Sequence, residues 1–347
     1  MIAIEAILLT ILLMLLMIAG YTDCKSSIIA NRLLVACSLI AIPIDILYYF
    51  LWGRPYLPAF FLNLVLLTAI SVVFYCYHLW AAGDSKLLFV VGLLIPGRFY
   101  VFGRMGLASG FAIVVFTFSS AFIFVIFESV WLILKNRIKL KLSLPSMDWW
   151  RILASYVAMV AATTIFNLLL HFLPGNILTS NPLLVTAIDF LAVLTLIQLR
   201  DKISTKWLIV ISASLWSLLV AMWFANVVDL GGAISPQSWL VVLAMILCRW
   251  VAERFNYQTI PTGEVRAGQI LSAATVIGFT TSRVKGLPSG MTEDLRSRIT
   301  EDEAESVRRW ATSAQGKESI IIVRKIPFAV FIGIGTLCFF VFEVAML

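Results

Sequence analysis

Runs of about twenty apolar residues recur along most of this chain, and no other feature constrains its fold as strongly. Each run is long enough to cross the hydrocarbon layer of a bilayer as a helix. Backbone groups inside lipid must satisfy one another, which leaves helices or closed barrels. The runs are continuous rather than alternating, which argues against a barrel. Composition agrees with a membrane chain. Of 347 residues, 61% are hydrophobic and only 13% charged, whereas soluble domains are about half apolar and about a quarter charged. The sequence therefore predicts an α-helical polytopic membrane protein with about ten transmembrane helices. They are expected near residues 2–20, 33–52, 57–79, 80–96, 107–134, 152–173, 183–199, 207–228, 239–251 and 326–347.

Four regions follow from this pattern. Residues 1–106 form a membrane core, 107–251 add further helices, 252–325 are polar, and 326–347 form a last span. The polar region predicts a small α+β or helical module. Thr300-Glu301-Asp302-Glu303 has the form of a helix cap, as does Thr292-Glu293-Asp294. The β-branched run 319–323 suits a strand. Residues 2–20 match a signal peptide in apolarity but lack a basic leading segment and carry Glu5, so they read as a retained first helix.

The formal charge of +7 does not point to nucleic acid, because Lys and Arg gather in short loops. Such clustering marks the cytoplasmic side of a membrane protein. The stretches at Asp23 and Asp84, the basic loop 135–141 and the polar module then share that side, with both termini outside. Arg98 and Arg104 run against this assignment. The expected location is the plasma membrane, multi-pass, in contact with the bilayer. None of the five cysteines forms a C-x-x-C pair, so no zinc site or disulfide framework is indicated, and no metal or cofactor is expected.

Two polar interruptions carry the chemistry. Tyr21-Thr22-Asp23-Cys24-Lys25 follows the first run as a loop, and Ala81-Ala82-Gly83-Asp84-Ser85-Lys86 opens the fourth. Each presents Asp-x-Lys at the end of a span. Alone, Asp23 reads as a solvated loop acid and Asp84 as a helix cap with Lys86 snorkelling beside it. Together they suggest a carboxylate pair at the membrane edge. Two such groups share one proton, because like charges that close do not both ionise. One carboxylate then takes a proton from water while the protonated one polarises a carbonyl, which is aspartic protease chemistry. Gly83 removes side-chain bulk where a substrate backbone would approach. His78, Asp45, Glu128, Asp189 and Asp229 read as helix-end or interhelical polar residues.

Asp23-x-Lys25 with Ile28-Ile29-Ala30-Asn31 resembles the first-aspartate motif, D-x-(K/R)-x-x-x-I-P-N, of the type IV prepilin and archaeal preflagellin peptidases. Ala81-Ala82-Gly83-Asp84-Ser85-Lys86-Leu87 is similar to their second motif, G-x-G-D-x-K-L. Ile326-Pro327-Phe328-Ala329-Val330-Phe331 is similar to the I-P-F-x-P-F that begins a late helix in that family, and 260–270 with 286–287 and 300–303 resembles the polar domain of preflagellin-type members. The likeness covers about 2–106 and 260–347, and not 107–251. Ala81, Ala30 and Val330 depart from the motifs.

The resemblance implies a GxGD-type aspartic endopeptidase. It would cut a pilin-like or flagellin-like precursor between a short basic leader and a hydrophobic helix, at the cytoplasmic face. Asp23 and Asp84 carry over as the catalytic pair and Gly83 as the close-approach glycine. Lys25, Lys86 and Asn31 are supporting residues with no chemistry assigned. No tetra-cysteine module precedes the core, so N-methyltransferase activity is not expected. The sequence leaves open a homo-oligomer, a degenerate relative serving as an assembly scaffold, and a proton-coupled transporter.

Overall fold

The computed structural model describes residues 1–26, 28–77, 80–101, 108–134, 149–171, 182–200, 202–226, 239–240, 242–243, 257–279, 282, 284–288, 290–291, 297–313, 315–323 and 326–345. His78, Asp229, the basic loop 135–141, the cap at 292–294 and most of the span expected at 239–251 lie outside these residues. Among the described residues, eight helices lead into the membrane-type body: α1 (Ile2–Ser26), α2 (Asn31–Tyr48), α3 (Leu57–Cys76), α4 (Ala82–Leu94), α5 (Phe111–Leu134), α6 (Trp149–His171), α7 (Pro182–Arg200) and α8 (Thr205–Phe224). The C-terminal helix, Phe328–Ala345, completes it. Among the described residues, five helical stretches are long and apolar enough to cross a membrane: Ile2–Ser26, Asn31–Cys76, Phe111–Glu128, Trp150–Leu169 and Thr205–Phe224.

The second of these stretches folds back on itself. Asn31, at the start of α2, bonds Lys86, and Ser71, near the end of α3, accepts from Ser85. Both ends of the hairpin therefore meet the start of α4. The reversal lies at Tyr49–Gly53, a π turn, followed by the 3-10 turn Arg54–Tyr56.

Helix α4 is shorter than expected. Its 13 residues reach about 20 Å, less than the roughly 30 Å of a hydrocarbon core. Pro96 and the 3-10 turn Gly97–Tyr100 carry the chain onward. Arg98 then meets Glu5, near the start of α1, with Nη1 3.4 Å from Oε2. Glu5 also accepts from Tyr48 Oη at 2.8 Å. This pairing explains Arg98, which as a loop charge contradicted the charge pattern. It is tied to a buried carboxylate, and removing one member of such a pair strongly destabilises.

Helix packing depends on small residues. A Cβ on Gly335 would stand 2.7 Å from the Ile113 carbonyl oxygen and 2.7 Å from the Thr117 nitrogen. The C-terminal helix and α5 therefore approach backbone to backbone, as small residues permit in membrane bundles. Gly20 faces Val330 at 3.6 Å and sets α1 against the same helix.

The polar region folds as an α+β module. Strands β1 (Tyr257–Pro261), β2 (Ile270–Leu271) and β3 (Ser319–Val323) form an antiparallel sheet in the order β1-β3-β2. Helices Ala273–Phe279 and Glu301–Ala311 pack on it through Val276, Phe279, Val307 and Trp310. The second helix begins at the expected cap. Glu303 N–H donates to Thr300 Oγ1 at 3.3 Å, and Thr300 N–H donates to Glu303 Oε2 at 2.8 Å.

Candidate functional site

Asp23 does not lie in a loop. Helix α1 continues through Ser26, so the acid sits in its final turns and is buried. The polar letters at 21–26 signalled a loop, but none of them breaks a helix, and burial against the C-terminal helix extends α1 past its apolar run. Asp84 sits, as expected, in the first turn of α4. Its Oδ2 accepts from the Ala81 backbone N–H at 3.2 Å, so it caps its own helix. The two carboxylates are 9% and 7% exposed and close enough for their charges to act on one another. Desolvation and mutual repulsion are the conditions under which two such groups titrate as a pair.

The C-terminal helix reaches into this site. The Ala329 N–H donates to Asp23 Oδ2 at 3.1 Å. Ala329 is the second residue of its helix, and first-turn N–H groups have no partner within the helix. A carboxylate there meets both a free donor and the positive end of the helix dipole. Phe328, one residue earlier, is locked by aromatic contacts to Trp80, Phe118 and Phe331. Trp80 in turn meets Phe74 edge-on, with centroids 4.7 Å apart. This cluster joins α3, the residues before α4, α5 and the C-terminal helix, one residue from the N–H that Asp23 accepts.

The supporting residues divide. Lys86 Nζ donates to Asn31 Oδ1 at 2.9 Å, which ties the segment after Asp23 to the helix of Asp84. Ser85 adds a 3.0 Å bond to the Ser71 carbonyl. Lys25 lies over the Tyr21 ring, 5.7 Å from its centroid, on the exposed side of α1. Gly83 was expected to leave room for a substrate backbone. A Cβ there would meet Ile29 at 3.4 Å, so the space it leaves is faced by the segment joining α1 to α2.

Two further acids are buried elsewhere in the bundle. Asp189 on α7 accepts from Asn167 on α6 at 3.1 Å, the interhelical contact expected of it. Asp45 is buried in α2, and neither of its oxygens has a hydrogen-bond partner among the described residues.

Sequence reasoning missed Trp80, Ala329 and Arg298 as parts of this site. Ile326-Pro327-Phe328 marked a helix start, but no local signal says that its second N–H meets an acid 306 residues away. Among the described residues, Arg298 of the module is the other charge felt at Asp84. No family model, no curated protein and no solved structure matches the chain.

Proposed function

We propose that this chain is a membrane aspartic endopeptidase that removes a short basic leader from pilin-like or flagellin-like precursors, with Asp23 and Asp84 as its water-activating pair. One observation carries the reading. Two acids 61 residues apart, on different helices, are buried within electrostatic reach of each other at one end of the bundle. Burying one carboxylate is costly, and burying two side by side is costlier. Such an arrangement suits a pair that holds one proton between them.

In this mechanism one carboxylate takes a proton from water as the oxygen attacks the scissile carbonyl. The other, protonated, donates to the carbonyl oxygen. Collapse of the tetrahedral intermediate breaks the C–N bond, a hydroxyl of the intermediate returns its proton to the second carboxylate, and the amine leaves with the proton first taken from water. The Ala329 N–H holds Asp23 in place, and the Ala81 N–H does the same for Asp84. On this reading the site faces the cytoplasm at the plasma membrane, where the leader of a precursor and the top of its hydrophobic helix would meet it.

The test is a cleavage assay in membranes with a precursor bearing a basic leader and a pilin-like helix. Wild type should cut, and Asp23→Asn and Asp84→Asn should each lose at least a hundredfold in rate. Undiminished cleavage in either variant would remove that residue from the pair. Absence of cleavage by wild type across several precursors would favour an assembly scaffold instead.

A further inference from the structure

Both carboxylates are buried, yet a scissile bond must come within hydrogen-bond reach of them, so a cover has to move. The described residues supply three covers. The C-terminal helix holds Asp23 through the Ala329 N–H at 3.1 Å. Trp80 and Phe328 meet each other, and both meet Phe118 of α5. The third cover is residues 28–31, at the entry to α2.

Neighbouring residues of this third segment face opposite ways. Ile28 is 58% exposed, whereas Ile29 is 8% exposed. The Ile29 side chain lies against Gly83: a Cβ built on that glycine would stand 3.4 Å from Ile29 Cβ and 3.5 Å from its Cδ1. Gly83 immediately precedes Asp84 in the first turn of α4. Asn31 Oδ1 then accepts from Lys86 Nζ at 2.9 Å, in an exposed bond. The segment therefore touches α4 both before and after the acid, at residues 83 and 86.

Its hold is light. Ala30 occupies the N-cap of α2 and offers no side-chain acceptor to the first N–H groups of that helix. Among the described residues, the contacts to α4 given above are one apolar side chain and one hydrogen bond to a flexible lysine, and water readily replaces an exposed bond of that kind. Opening either other cover would part an aromatic cluster or withdraw a helix from Asp23.

We infer that residues 28–31 are a latched strap across the start of α4, with Ile29 as its plug and the Lys86–Asn31 bond as its latch, and that the strap lifts to admit the precursor to the carboxylate pair. What enters beneath it rests on the peptidase reading.

The contact at Gly83 supplies its own lock, because a 3.4 Å separation is close to the roughly 3.8 Å usual between Cβ atoms across a disulfide. The full chain carrying Ile29→Cys and Gly83→Cys is placed in nanodiscs, oxidised with diamide, and compared with the same sample after reduction by dithiothreitol. Each single variant, treated alike, accounts for cross-links to native thiols such as the exposed Cys24. Two rates are read at one pH: precursor cleavage, and modification of Asp84 by a water-soluble carbodiimide, followed by mass spectrometry. The cross-link should slow both by about tenfold or more, and reduction should restore both. Asn31→Leu, which removes the latch without changing a charge, should label Asp84 about threefold faster than wild type. Equal labelling of the cross-linked and reduced samples would overturn the inference, as would equal, measurable cleavage. Failure of the two cysteines to cross-link would overturn it too, because Ile29 would then not rest on Gly83. If the reduced double variant misfolds, Asn31→Leu decides, and labelling no faster than wild type refutes the latch. Labelling slowed by the cross-link, in a protein whose wild type cleaves no precursor, would support the strap and refute the peptidase reading.

Discussion

Replacing Gly335 by alanine should loosen the helix that delivers the Ala329 N–H to Asp23. The added Cβ would meet Thr117 Oγ1 first, and then the Ile113 carbonyl oxygen and the Thr117 nitrogen at 2.7 Å each, the last two being backbone atoms of α5. A comfortable contact is about 3.4 Å or more, so the two helices must part by roughly 0.7 Å. Overpacking of this kind costs about 1–3 kcal/mol. Alanine also recovers about 1 kcal/mol of helix propensity relative to glycine, which would blur a single measurement. Gly333 supplies the control. It lies on the same helix, and a Cβ there would meet its nearest neighbour, Leu16 Cβ, at 3.9 Å, an ordinary contact. The propensity gain is common to both variants and cancels in their difference. Gly335→Ala should therefore be about 1–3 kcal/mol less stable than Gly333→Ala, measured by denaturation in one detergent. Its cleavage rate should fall as well, because Ala329 lies six residues before the disturbed contact and its bond to Asp23 is 3.1 Å long. Equal stability of the two variants would refute the close approach and the argument built on it.

Three further outcomes are expected. Asp23→Ala should destabilise the protein by about 1–3 kcal/mol more than Asp23→Asn in the same denaturation measurement, because it leaves the buried Ala329 N–H without an acceptor while asparagine keeps an oxygen there. Gly83→Ala should keep near wild-type stability and cleavage, since the atoms nearest its Cβ belong to the Ile29 side chain and lie no closer than 3.4 Å. A loss above tenfold in the cleavage assay would show that Gly83 serves substrate approach instead. Thr300→Ala should cost about 0.5–2 kcal/mol by removing an acceptor for the Glu303 N–H, and hydrogen exchange should report it at Glu301–Ala311.

The sequence by itself determined the helical membrane class, because lipid imposes length and apolarity on every residue of a span and leaves a continuous record. It also determined the cap at Thr300 and the strand 319–323, whose signals fit within a few neighbouring residues. Two acids worth pairing were legible as interruptions of apolar runs. The rest was decided by tertiary structure. Asp23 is helical because packing carried α1 past its apolar letters. Arg98 read as a loop charge until Glu5, 93 residues away, became its partner. The reversal at Tyr49–Tyr56 and the closeness of α5 to Gly335 depend likewise on neighbours far along the chain. So does the Ala329 N–H on Asp23. Contacts of that kind impose no periodicity on the residues that make them, so only the folded chain reveals them.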